Sequence, residues 1–231
     1  MKINISALFI ILSSACSEYD IKQLCVNTNN AFDVEEVSVL QDAAAYPGAR
    51  DAIVMDFDSG DFSADEGWRV VTVEALAMIP TWEFDIYNDN ADITIEIYDA
   101  NNPNTVTPWV ITQTIKRSDW EWREVRLPDD AATAGQTFDF DQMRAWVSFD
   151  FSNLIPESGM TSDQYLVSVS WGNNSDLAVG YSNFNLACDK NWTDWGDGFN
   201  LNSTTANAFE CSWPMFRLEL ETRKYKDNCN D

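Results

Sequence analysis

TWEFDIYNDNADITIEIY, residues 81–98, carries the alternation on which the fold assignment turns. Trp82, Phe84 and Ile86 alternate with Glu83, Asp85 and Tyr87, and Ile93, Ile95 and Ile97 alternate with Thr94, Glu96 and Tyr98. A period of two gives one apolar and one polar face, the pattern of a half-buried strand. Asn88-Asp89-Asn90-Ala91 between the two runs has turn chemistry. The stretch therefore predicts a β-hairpin. Across a four-residue turn, Tyr87 would face Asp92, Phe84 would face Ile95, Glu83 would face Glu96 and Asp85 would face Thr94. Like charges set directly opposite one another cost a sheet stability.

The same punctuation runs outward along the chain. Further strands are predicted at Val34–Leu40, Ala52–Phe57, Trp68–Ile79, Trp109–Ile115, Trp120–Leu127, Met143–Phe151, Gln164–Trp171, Ala178–Phe184 and Met215–Glu221. Only Asp42–Ala45 and Asp129–Ala134 read as locally helical. About eleven strands with short links predict an all-β, two-sheet β-sandwich of jelly-roll type. No linker or repeat divides 33–231, which reads as a single β-sandwich domain.

Charge narrows the function classes. Thirty-eight acidic against fourteen basic residues give a net charge of -24. Such a field repels nucleic acid and anionic lipid head groups, so no nucleic-acid partner is expected. Histidine is absent, which removes the commonest general base, the Ser-His-Asp and Cys-His arrangements and imidazole-built zinc or copper sites.

The N-terminus carries an address. Met1-Lys2 is a small basic start, Ile3–Leu12 is mostly apolar, and Ser13-Ser14-Ala15 precede Cys16. The apolar run is too short to cross a bilayer and suits a signal peptide over 1–15. Ser14-Ala15-Cys16 resembles the signal of bacterial lipoproteins, although Ser13 stands where that family usually has Leu and also fits ordinary cleavage before Cys16. The resemblance implies lipidation at Cys16, a lipidated terminus and tether over 16–32, and export to the cell envelope. Ser17 after the cysteine implies the outer membrane, with the lipid anchor as the sole membrane contact. Removing Cys16 leaves four cysteines, Cys25, Cys188, Cys211 and Cys229, which allow three disulfide connectivities. The expected scheme is Cys188–Cys211, bracketing one stretch, and Cys25–Cys229, near the two ends.

Three constellations are candidates for chemistry. Glu83-x-Asp85 resembles the catalytic strand of laminarinase-like glycoside hydrolases, in which paired carboxylates flank a sugar bond. Tyr87 and Asn88 stand where that family has its third acid. A glycoside hydrolase-like enzyme using Glu83, Asp85 and Glu96 is thus an alternative, and a solvated hairpin face explains the same residues. Asp56, Asp58, Asp61 and Asp65 around Gly60 suit a hard cation, with calcium the possible cofactor, or a polar turn. The EF-hand pattern fails there, with Asp61 in place of its glycine. Finally, the chain has ten tryptophans. Trp192 and Trp195 lie between Cys188 and Cys211 with Asn191, Asp194 and Asp197, in a stretch without a convincing strand. Aromatic faces beside Asn and Asp suit sugar recognition. Trp68, Trp82, Trp146, Trp171 and Trp213 read as core fillers, and Trp120 and Trp122 share a face.

The resulting expectation is a non-enzymatic, surface-displayed binding module with glycan as ligand class and no catalytic residue. A structural or adhesion lipoprotein with an envelope-protein partner is the other alternative. A binding module should expose an aromatic platform, an enzyme a cleft floored by paired acids, and a structural protein a broad apolar patch.

Overall fold

The computed structural model describes residues 17–26, 37–38, 50–56, 68–126, 141–157, 159–160, 162, 164–171, 177–182, 191–194, 196–201 and 214–225, with the backbone alone at 17–26, 37–38, 50–56, 182, 191 and 222–225. The chain is an all-β sandwich built from antiparallel sheets. Its strands are β1 (Ser17–Val26), β2 (Val37–Ser38), β3 (Arg50–Asp56), β4 (Trp68–Pro80), β5 (Ala91–Tyr98), β6 (Trp109–Ile115) and β7 (Arg123–Val125). They continue with β8 (Gln142–Asp150), β9 (Gln164–Trp171), β10 (Ala178–Val179), β11 (Tyr181–Ser182), β12 (Asn191–Asp194), β13 (Phe199–Leu201) and β14 (Phe216–Tyr225). The described residues thus hold fourteen strands, against the eleven or so expected.

The first sheet has the order β1-β14-β4-β8-β7, with β10 beside β4, and the second has the order β13-β12-β3-β9-β5-β6. A two-stranded ribbon, β11-β2, stands apart from both. The apolar alternation of the sequence explains the layering. Val70, Val73, Ala75, Ala77 and Ile79 of β4 meet Ile93, Ile95 and Ile97 of β5 and Tyr165, Val167 and Val169 of β9 in one buried core. Trp68 packs its ring 5.0 Å from that of Tyr165, which brings the Trp68 end of the first sheet to the start of β9. The main-chain N–H of Met160 donates to the Trp68 carbonyl at 2.7 Å. Gly159 beside it has a φ of +84°, and a Cβ there would lie 2.6 Å from that carbonyl oxygen. Arg69 ties the same end together, donating to the Ser152 and Ile155 carbonyls at 2.9 Å and pairing with Glu221 at 3.0 Å.

Several expectations need correction. Thr81–Tyr87 is not a strand: Thr81–Phe84 is a single helical turn, α1, and no 81–98 hairpin forms. Of the predicted strand Val34–Leu40, Val37–Ser38 is a strand among the described residues, and Trp120–Leu127 shortens to Arg123–Val125. The stretch 188–211 contains β12 and β13. Of the expected tether 16–32, residues Ser17–Val26 form β1, paired along its whole length with β14. Its partner lies some two hundred residues away, and its own sequence, SEYDIKQLCV, sets Glu18, Asp20 and Lys22 on one face.

The two ends of β4 differ. At the Pro80 end sit α1, β7 and the start of β5. At the Trp68 end, β14 outruns β4: Thr222 is opposite Trp68, and Arg223–Tyr225 continue paired to Tyr19–Ser17 of β1. β4 is thirteen residues long from one end to the other, roughly 40 Å of extended chain.

Candidate functional site

The Pro80 end is built from the connection that sequence reading took for a hairpin. Pro80, at φ -55° and ψ 140°, closes β4 and leads into α1. The Thr81 N–H donates to the Asp141 carbonyl at 3.0 Å, and the Ile86 and Tyr87 N–H groups donate to the Glu83 carbonyl at 3.1 and 2.8 Å. Tyr87 turns inward, its hydroxyl donating to the Ile115 carbonyl at 2.6 Å and accepting from the Ala91 N–H at 3.2 Å. The helical turn breaks the period-two face. Phe84 is half-buried against the core, whereas Trp82 is 56% exposed and Ile86 75% exposed.

A second segment backs the first. Trp120 and Trp122 pack half-buried on the core just before β7, and the Trp122 ring lies 5.3 Å from Phe84, tilted by 60°. Arg117 joins the two segments. Its Nη1 donates to the Phe84 and Asp85 carbonyls at 2.7 and 3.1 Å, its guanidinium stands 5.8 Å from the Phe84 ring centre, and its N–H donates to Asp89 Oδ1 at 2.9 Å. Asp89 holds the left-handed turn that makes this possible, at φ +56°. This end thus exposes Trp82 and Ile86 in the same turn as Glu83 and Asp85, while Phe84 and Trp122 pack half-buried on each other. The sequence signal for it was the shared spacing of Trp120 and Trp122; Trp82 had read as core.

The three carboxylates of the enzyme alternative do not come together as the hairpin required. Glu83 is half-buried at α1 and Asp85 is exposed after it. Glu96 lies five residues along β5 from Ala91, about 16 Å of strand. Its cross-strand neighbours are Ser168 of β9 and Val110 of β6, and it accepts from the Tyr98 hydroxyl at 2.6 Å. Thr94 stands opposite Ser170 and Thr112, not Asp85.

The second tryptophan site is a short hairpin, β12–β13, with β12 also paired to β3. Trp192 is half-buried and packs on Tyr98, Leu166 and Phe199. Asp194 is buried, and its Oδ1 accepts from the Gly196 and Gly198 N–H groups at 2.7 and 3.0 Å, closing the turn. Asp197 is exposed and lies 3.5 Å from Asn200 Nδ2. Asn104, in the β5–β6 connection, clips the turn by donating to the Phe199 carbonyl at 2.8 Å. Asn191 opens β12 opposite Ile53, and Trp195 lies outside the described residues.

Asp56 ends β3 opposite Gln164, while Asp58, Asp61 and Asp65 lie outside the described residues. Among the described residues, no group of three or more acidic or cysteine side chains is placed to hold a metal. Cys16, Cys188, Cys211 and Cys229 also lie outside them. Cys25 is opposite Arg217, eight residues along β14 from Tyr225 and hence about 27 Å from it. Of the expected Cys25–Cys229 pair, Cys25 lies in β1 and Cys229 outside the described residues. Among the described residues, no helix is long and apolar enough to cross a membrane. No protein-family model, curated protein or solved structure matches this chain.

Proposed function

We propose that this protein is an exported lipoprotein, held in the outer membrane by acylated Cys16, whose sandwich serves as a non-enzymatic binding module for glycans. The observation that carries the reading is the exposed indole at the Pro80 end, where Trp82 is 56% exposed in the helical turn α1. An exposed indole face can stack on the apolar face of a sugar ring. Glu83 and Asp85, in the same turn, offer acceptors to sugar hydroxyls. Placement supports display as well. β1 starts next to Cys16 at the Trp68 end of the first sheet, and Trp82 stands at the other end, roughly 40 Å away along β4.

A glycan array probed with the soluble chain beginning at Ser17 tests this. Trp82→Ala should abolish the binding found while leaving Tm nearly unchanged, because exposed substitutions usually shift stability by within about 0.5 kcal/mol. Binding retained by Trp82→Ala and lost by Trp192→Ala would move the site to β12. A blank array together with capture of one envelope protein would favour the structural reading instead.

A further inference from the structure

We propose that the end of the β1–β14 ribbon is the surface this protein sets against its membrane, with Arg223 and Lys224 apposed to anionic phospholipid headgroups. The inference rests on the reading that Cys16 carries a lipid, and it adds a second, electrostatic contact at a defined place in the fold. Ser17 is both the first residue of β1 and the residue after Cys16, so no slack chain separates the anchor from the sheet. Ser17, Glu18 and Tyr19 are opposite Tyr225, Lys224 and Arg223. These three pairs lie beyond the Thr222–Trp68 pair that ends the contact with β4. The register therefore places two basic residues at the tip that the anchor must bring to the bilayer.

The tip departs locally from the acidic average of the chain. Arg223 and Lys224 are adjacent basic residues in a chain of net charge -24. At ribbon positions 17–20 and 222–225, Glu18 and Asp20 are balanced by Arg223 and Lys224. An anionic surface repels the acidic body but not this tip. Three residue pairs of ribbon give a stand-off of about 10 Å. That is near the Debye length, about 8 Å at physiological salt, so the body's charge starts where the surface field has largely decayed. The occupant is thus a bilayer surface bearing phosphate, recognised by cations beside an acyl anchor.

The test uses the mature chain coupled through its N-terminal Cys16 to a single myristoyl-length chain, whose own membrane affinity is marginal and so leaves a protein contribution visible. At about 1 kcal/mol for each basic residue at an anionic surface, Arg223→Gln with Lys224→Gln should weaken binding to phosphatidylglycerol-containing vesicles about thirty-fold. Binding to phosphatidylcholine vesicles should stay as it was, with an unaltered Tm. Equal affinity of variant and parent for the anionic vesicles overturns the proposal, and so does an equal loss on both kinds of vesicle. Because the acyl chain is added chemically, the result does not depend on whether the cell lipidates Cys16. That separate question is answered by the intact mass of the protein extracted from membranes.

Discussion

Tyr165 sits at the start of β9 with the Trp68 ring 5.0 Å away, wholly buried where the two sheets meet. Burial disfavours the phenolate and pushes its ionisation above the ordinary value near 10. Below pH 10 the folded and unfolded chains both hold the phenol proton, and the group adds no pH dependence. Above pH 10 the unfolded chain loses the proton while the native chain keeps it, so stability falls as pH rises, by up to about 1.4 kcal/mol per pH unit. Tyr165→Phe should remove that share of the alkaline decline in denaturant titrations between pH 10 and 11. An unchanged slope would mean that the buried phenol is not the source. Asp150 acts in the opposite sense. The Ser152 hydroxyl and N–H hold its carboxyl below the usual carboxylate range, but it is nearly fully exposed and contributes little to acid stability. Single residues were the level at which sequence reading was least secure. Trp82 reads as a core residue because its neighbours alternate, and its exposure follows from a helical turn that alternation does not register. Asp194 reads as a hydroxyl partner, yet its Oδ1 accepts from two N–H groups of its own turn.

Elements were more legible than residues wherever burial enforced a period. Trp109–Ile115 and Gln164–Trp171 were read with the bounds they have, and β4 and β8 to within a residue or so, because their apolar faces line the core. Elements whose partners are distant or polar were not legible: β1 pairs only through a register with the far end of the chain, and β12–β13 is held by a polar turn. The failure at α1 has a local cause, since Pro80 and the inward turn of Tyr87 outweigh the alternation of Trp82, Phe84 and Ile86. Arg117 is what fixes that turn from outside. Its ion pair with Asp89, 3.5 Å long and about one-third exposed on both sides, adds little by itself. Its two bonds to the Phe84 and Asp85 carbonyls matter more. Arg117→Ala should cost about 1 kcal/mol, as for a solvent-discounted charged hydrogen bond, and should speed amide exchange at Ile86 and Tyr87. Arg117→Lys should rescue it only partly, because an ammonium lacks the forked donors. Unaltered exchange at those two amides in Arg117→Ala would show that α1 holds itself.

At the scale of the whole molecule, the all-β class and the two-sheet packing were readable from periodicity alone, whereas the polarity of the sandwich was not. Its ends acquire distinct characters only once the β1–β14 register is known, since that register carries the N-terminus to the Trp68 end and leaves α1 at the other. The same register has a mechanical consequence. Force drawn through the N-terminus enters β1 at Ser17, the tip farthest from Val26, and runs along the strand away from the body. Ladder hydrogen bonds lie across the strands, so this direction of load strains all ten residue pairs together, in shear. A load applied at Val26, perpendicular to the strand, would instead peel the pairs one at a time. Single-molecule pulling should therefore find a markedly higher rupture force from the Ser17 end along β1 than from Val26 across it; equal forces would mean that β1 does not bear the load. A chain loaded at Ser17 along β1 is held by the geometry that resists best.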